Sequence, residues 1–231
     1  MELLTLVRHG RALRLKAPEG TYSYYHPQHV FTGLGWDAQT GSLLLAKKMN
    51  SILMLGLGGG TVARQCRALF PNAVIVGVEL ERRVINLAYR QFALGAAGVK
   101  VVAMEGETYL RRTDRRFDGI IDDMWLPLSA DQKPVLADPA WSRLVRSRLT
   151  ACGIYAVNLY SRNESPYHVK TAVSRLARIF PALREVRPAS GQTTVIAGGV
   201  DLCTSREARA NLRRLPGTFA HDLSHLRFRT L

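Results

Sequence analysis

Leu53–Arg64 reads "LMLGLGGGTVAR". An apolar run of strand length breaks into four glycines within Gly56–Gly60, then resumes with helical spacing. Directly after a buried strand and before a helix, glycines let the backbone approach a ligand, and the helix start offers N–H donors without intrahelical partners. Gly58, Gly60 and Ala63 also fit the dinucleotide-binding pattern G-x-G-x-x-A. A tight packing turn would use the same residues, so the weight falls on what surrounds them.

Downstream, apolar runs alternate with helical patterns. "AVIVGVE" has strand length and suits a strand buried on both faces of a parallel sheet. Between it and the first strand, "TVARQCRALF" places Val62, Cys66 and Leu69 on one helical face and stops before Pro71. A second helix, "RRVINLAYRQFAL", is followed by the strands "VKVVAME" and "FDGIIDD", a helix around "PAWSRLVRSRL", the strand "GIYAVNLY" and the helix "YHVKTAVSRLARIF". The last two strands, "LREVRP" and "QTTVIAGG", are joined only by "ASG" and predict an antiparallel hairpin. The pattern predicts an α/β, doubly wound, mixed seven-stranded sheet with ligand bound beyond the carboxyl ends of its strands. Residues 50–203 form this domain. Residues 1–49 are a strand-and-helix extension, with a helix over 37–48 capped by Asp37, and 204–231 are a basic segment packed on the outside.

The strand ends carry chemistry. Glu79 lies roughly twenty residues past the glycines, where an acid reaches the two hydroxyls of a ribose. The next strands end at Glu105-Gly106 and Asp122-Asp123. A dinucleotide pyrophosphate would prefer cations there; three acidic strand ends suit a neutral adenosine with a cationic sulfonium. The reading is S-adenosylmethionine or a close relative rather than NAD.

Composition bounds the rest. The chain has 231 residues, enough for one α/β domain with a core. No apolar run reaches the roughly 18 residues of a membrane helix, and the first residues do not resemble a secretory signal, so a cytoplasmic location without membrane contact is expected. Cys66, Cys152 and Cys203 are few and scattered, and read as reduced, buried small hydrophobes. The formal charge is +14, from 32 Lys and Arg against 18 Asp and Glu. The arginines are spread along the whole chain with no aromatic-interleaved stripe, so nucleic acid is not the expected partner. His26/His29 and His221/His225 have ligand-like spacing but no Cys or acid cluster around them, and no metal is expected.

In order and spacing, "SILMLGLGGGTVAR", "VGVELERRVINLA", "VVAMEGETYL", "RRFDGIIDDMW" and "GIYAVNLYS" resemble the spermidine-synthase-like branch of the class I S-adenosylmethionine-dependent methyltransferase superfamily. The resemblance covers roughly residues 50–200 and implies a Rossmann-like methyltransferase fold. It implies that Gly56, Gly58, Gly59 and Gly60 line the cofactor turn, with Leu80 and Gly106 beside the cofactor. Glu79 would bind the ribose hydroxyls, Glu105 the adenine amino group, and Asp123 would activate an amine nucleophile next to the cofactor. A homodimer is a further family expectation.

Three features depart from the aminopropyltransferases of polyamine biosynthesis. Gly59 stands where they carry an acid in "GGGDGG", Leu126 replaces the second acid of D-x-x-D, and their tyrosine–histidine–glutamate stretch is not recognisable in "FTGLGWDAQTG". A polyamine needs several carboxylates. The expectation is therefore methyl transfer from S-adenosylmethionine to a nitrogen or oxygen of a small molecule, with Asp123 as base and Asp122, on the opposite face, structural. Trp36, Gln39, Trp125 and Tyr160 are the candidate acceptor-pocket residues. Gly59 is expected to leave an open turn whose N–H groups meet the carboxylate of S-adenosylmethionine, favouring it over the decarboxylated form. The alternatives are aminopropyl transfer from decarboxylated S-adenosylmethionine, and a non-catalytic protein that keeps the fold and binds nucleic acid or a partner.

Overall fold

The computed structural model describes residues 4–18, 20–124, 133–159, 166–191 and 193–231. The chain begins with β1 (Thr5–His9), β2 (Ala12–Ala17) and β3 (Gly20–Tyr25), then α1 (Gly35–Ser42), which runs into a 3-10 turn over Leu43–Leu45. The alternating unit follows as β4 (Ser51–Leu55), α2 (Thr61–Leu69), β5 (Val74–Glu79), α3 (Arg82–Gln91), β6 (Lys100–Ala103), α4 (Gly106–Arg112) and β7 (Phe117–Asp122). Then come α5 (Pro134–Ala137), α6 (Trp141–Ser147), β8 (Leu149–Asn158), α7 (Pro166–Leu176), β9 (Ala182–Arg187) and β10 (Val195–Gly199). The described chain ends with α8 (Ser205–Arg213), α9 (Phe219–Asp222) and β11 (Arg227–Thr230).

The main sheet has eight strands in the order β11-β9-β10-β8-β7-β4-β5-β6. β4 lies at its centre, parallel to β5 on one side and β7 on the other, with Leu53 level with both Val76 and Ile120. Ile52–Leu55 are buried on both faces, as their unbroken apolar run requires. The hairpin of β9 and β10 is antiparallel, and β10 inserts between β9 and β8. One core lies on each face, with Ile52, Met54, Cys66 and Ile75 in the first and Leu53, Leu55, Val76, Trp141 and Tyr155 in the second.

Three expectations change. The sheet has eight strands, not seven, because β11 from the basic C-terminal segment pairs antiparallel with β9 and buries Phe228. "RFRT" is too short and too charged for its single inward side chain to signal a strand. The first residues form a separate antiparallel sheet, β1-β2-β3, whose Leu13 and Leu15 pack on Val84 and Phe92 of the α3 region. Asp37 does not cap α1; it sits in the first turn, fully buried, and accepts from the backbone N–H of Thr32 and Gly33 and from the Gln65 amide.

Smaller assignments follow from the same packing. Cys66 and Cys203 are buried, whereas Cys152 is exposed on β8. Several arginines serve the fold: Arg67 donates to the carbonyls of Ala97 and Ala73, Arg148 to Leu110 and Arg209 to Phe228. Among the described residues no helix is long and apolar enough to cross a membrane.

Candidate functional site

The parallel strands β4, β5, β6 and β7 all end on one side of the sheet, and the loops that leave them build the site. Gly56, Gly58 and Gly60 have φ of 81°, 55° and 84°, which only glycine adopts freely. A side chain on Gly56 would also meet the backbone oxygen of Asp123 at 2.8 Å, so the turn after β4 lies directly against the end of β7. Gly60 is the N-cap of α2, and a side chain there would collide with Leu94.

Glu79 ties the turn to β5. Its Oε2 accepts from the Gly58 N–H at 2.9 Å and its Oε1 from the Glu81 N–H at 3.0 Å. A carboxylate has about four lone-pair positions, so two remain for hydroxyl donors. Leu80 follows it and is 56% exposed, an apolar surface beside this acid.

Gly59 is not open. Its N–H donates to Ser23 Oγ at 2.6 Å, and a side chain there would come within 2.8 Å of Ser23 Cβ. Thr61 Oγ1 donates to the Tyr24 carbonyl at 2.9 Å and accepts from its N–H at 2.8 Å, so β3 is docked onto the start of α2. The first sheet therefore occupies the N–H group expected to meet a cofactor carboxylate. The inference from Gly59 to a cofactor that keeps its carboxylate lapses, since glycine is required here by the approach of Ser23.

Glu105 has a structural task as well. Its carboxylate is the N-cap of α4 and accepts from the backbone N–H of Glu107 at 2.8 Å and of Thr108 at 2.6 Å. Partial burial pushes this carboxyl up, but the backbone donors at Glu107 and Thr108, the Thr108 hydroxyl and the Arg111 charge outweigh it, and the net shift is below the ordinary 4.5. Glu105→Ala is expected to lower stability by about 1 kcal/mol near neutral pH. Because the folded value is depressed, this contribution is complete above the unfolded value and disappears as pH falls through the folded one. Denaturation of both proteins at neutral and acidic pH checks it: the gap should close in acid. The adjacent Gly106 is small because Met124 packs where its side chain would begin.

Asp123, the first residue past β7, has its carboxylate held from two sides. Gln39 Nε2 donates to Oδ2 at 3.2 Å and Asn158 Nδ2 to Oδ1 at 2.7 Å. Lys133 Nζ stands 3.8 Å from Oδ1. The Asp123 side chain remains 22% exposed, so a ligand can reach it. Gln39 is buried on α1, and its Oε1 has no hydrogen-bond partner among the described residues. Trp36 is half-buried on the same helix and packs against the first core. Trp125 and Tyr160 lie outside the described residues.

Asp122 points the other way, as its alternation predicts. It is fully buried, its Oδ2 accepting from the Tyr155 hydroxyl at 2.6 Å and from Trp141 Nε1 at 3.0 Å, with Lys133 Nζ 3.9 Å from Oδ1. Burial pushes the Asp122 carboxyl up, opposed by the Lys133 charge and these donors. Of the histidine pairs, the rings of His26 and His29 lie 4.6 Å apart, tilted by 32°, and His225 Nε2 faces the buried Asp37 at 3.6 Å. Among the described residues no group of three or more His, Cys, Asp or Glu could hold a metal ion.

Sequence reasoning misses Ser23, Asn158 and Lys133. Asn158 had a signal: it ends β8 as Glu79 and Asp122 end theirs, and the same strand-end rule applied once more would have found it.

Glycine turn, strand-end acids and parallel order together define a Rossmann-like fold of the methyltransferase kind. The comparisons agree. No family model matches the chain. A probable polyamine aminopropyl transferase of Bifidobacterium longum is 27% identical over 194 residues, 84% of this chain but only 40% of that protein. The chain thus spans 40% of the length of this curated relative. A probable spermidine synthase from Corynebacterium glutamicum superposes with a TM-score of 0.79 at 16% identity, covering 99% of this chain and 88% of that one. Human methyltransferase-like protein 13, solved in complex with SAH, superposes with a TM-score of 0.62 at 21% identity, covering 81% and 87%. In fold the chain is similar to spermidine synthases and to a methyltransferase-like protein, and in sequence it is distantly similar to a polyamine aminopropyl transferase.

Proposed function

We propose that this chain transfers an alkyl group from a cofactor of the S-adenosylmethionine type to an amine nitrogen of a small molecule, with Asp123 as general base. The observation that carries the reading is the Asp123 carboxylate, accessible and oriented by two amides, on a residue whose backbone lies directly against the glycine turn. The residues fit such a cofactor. Glu79 keeps lone pairs for ribose hydroxyls, neither Gly56 nor Gly58 has room for a side chain, and Leu80 offers an apolar face. When bound, the cofactor supplies an electrophilic carbon on a sulfonium, whose sulfur leaves as a neutral thioether.

The chain's own part is alignment and proton removal. Gln39 and Asn158 fix the direction of Asp123, which takes the proton as the amine forms its bond to carbon. An aminopropyl group is the leading choice for what is transferred. The similarity to the Bifidobacterium protein and to the Corynebacterium structure supports it. So does Ser23, because the Gly59 N–H it accepts was the reason to require a cofactor carboxylate. Methyl transfer is the second reading, favoured by Leu126 at the place of the second acid and by the likeness to the human methyltransferase-like fold. A small-molecule acceptor rather than nucleic acid, and pairing as a homodimer, are parts of the same proposal.

Product identity decides. The full chain is incubated with an amine and either S-adenosylmethionine or its decarboxylated form, and the nucleoside product is identified by mass spectrometry. Methylthioadenosine from the decarboxylated cofactor is expected. S-adenosylhomocysteine alone would install methyl transfer, and consumption of neither cofactor would remove the transferase reading.

A further inference from the structure

We propose that Leu226, in the segment 204–231, is a positioning residue: it backs α1 from the side away from the site and so keeps the Gln39 amide on Asp123. The proposal rests on the transferase reading for its effect on turnover, and on the geometry alone for its effect on Gln39.

α1 is a short helix without a continuous apolar stripe. Residues 37–42 are all buried, yet Asp37, Gln39, Thr40 and Ser42 among them carry polar side chains. Its seat is therefore set by particular contacts more than by apolar area. Asp37 and Gly41 are four residues apart and share one face, whereas Gln39, two residues from each, projects about 200° away around the axis. The face of Asp37 and Gly41 meets the segment 204–231. Leu226 is buried and packs where a side chain on Gly41 would begin. Beside it, His225 Nδ1 donates to the Asp222 carbonyl at 2.8 Å, with Nε2 turned to Asp37 Oδ2 at 3.6 Å.

The segment that carries Leu226 is itself anchored. Asn211 Nδ2 donates to the Leu44 carbonyl at 3.2 Å, Phe219 meets Phe31 edge to face at 5.3 Å, and β11 is paired with β9. Leu226 is thus a fixed backstop. On the far side of the helix, Gln39 Nε2 reaches Asp123 Oδ2 at 3.2 Å, the long end of the usual N–H···O range. A small withdrawal of α1 breaks that bond. Truncating Leu226 opens space behind Gly41, and the helix can settle into it, away from Asp123. The carboxylate then keeps Asn158 but loses the second of the two amides that set its direction.

Two readouts on the full chain test this. In Leu226→Ala, kcat with the consumed cofactor should fall about tenfold while the cofactor dissociation constant stays unchanged. The Gln39 side-chain amide protons, identified in NMR spectra by their loss in Gln39→Ala, should exchange with solvent at least about tenfold faster. Leu226→Met, close in volume, should restore both. In a Gln39→Ala background Leu226→Ala should lower kcat no further, although it still lowers stability; a purely structural role gives the same loss of kcat in both backgrounds. If Leu226→Ala does not fold, Leu226→Val makes the same comparisons with a smaller cavity. Native kcat or native Gln39 exchange in the folded variant, or an equal loss of kcat with and without Gln39, would overturn the proposal. If the native chain consumes no cofactor, the transferase reading fails, and Gln39 exchange alone decides whether Leu226 holds the amide in place.

Discussion

Asp123→Asn is expected to lower turnover by about 10²–10⁴-fold while leaving cofactor affinity nearly unchanged. The substitution keeps the shape and removes the proton acceptor. Its neighbours can adapt, since Gln39 Oε1 has no partner among the described residues and can accept from the new amide after rotation of the Gln39 side chain. The fold should therefore survive, and the loss should lie in kcat. Turnover of a suitable amine, with cofactor binding followed by calorimetry, checks both halves. Near-normal turnover in a folded protein would move proton removal to another group, or leave catalysis to alignment alone.

Asp122→Ala acts on stability instead. It removes the carboxylate that receives the Tyr155 hydroxyl and the Trp141 N–H, and it deprives a buried ammonium of a partner. Lys133 keeps Asp123 at 3.8 Å, so the expected loss is about 1–3 kcal/mol, from the buried Tyr155 and Trp141 donors that lose their acceptor. Asp122→Asn should cost less, since an amide oxygen still accepts from Tyr155 and Trp141. Pairing Asp122→Ala with Lys133→Met should recover part of the loss, because the ammonium that has lost one of its carboxylates is then also gone. Denaturant titration of the four proteins measures the coupling. Additive effects would mean that the two charges do not stabilise each other.

What the sequence disclosed followed periodicity and strand ends. β4, β5 and β7 were visible because strands buried on both faces must be apolar without interruption, and the acids at their ends stood out against those runs. The opposed roles of Asp122 and Asp123 were legible too, because successive side chains at a strand end point to opposite faces. Other features depend on residues far apart in the chain. Ser23 is a polar residue on a short strand, and only docking of β3 on the glycine turn brings it to Gly59, 36 positions away. Lys133 precedes a proline in a polar stretch and carries no periodic mark. It is brought into the interior beside Asp122 and Asp123, which lie eleven and ten positions earlier in the chain. Glu105 shows the converse. Its position was read properly, but a carboxylate at a helix start also satisfies the helix's own amides, and spacing cannot separate these uses.

The eighth strand bears on how copies of this chain can meet. With β11 seated on β9, the main sheet terminates at β11 and β6, both four residues long. Such short borders offer little template for annealing to another chain. β11 also displays Arg227 and Arg229 to solvent on either side of the buried Phe228, so a second β11 laid alongside would bring guanidinium against guanidinium. A continuous intermolecular sheet is disfavoured at that border by electrostatics and by length together. The pairing of β11 thus replaces the longer border of β9 with a short, cationic one at that side of the main sheet.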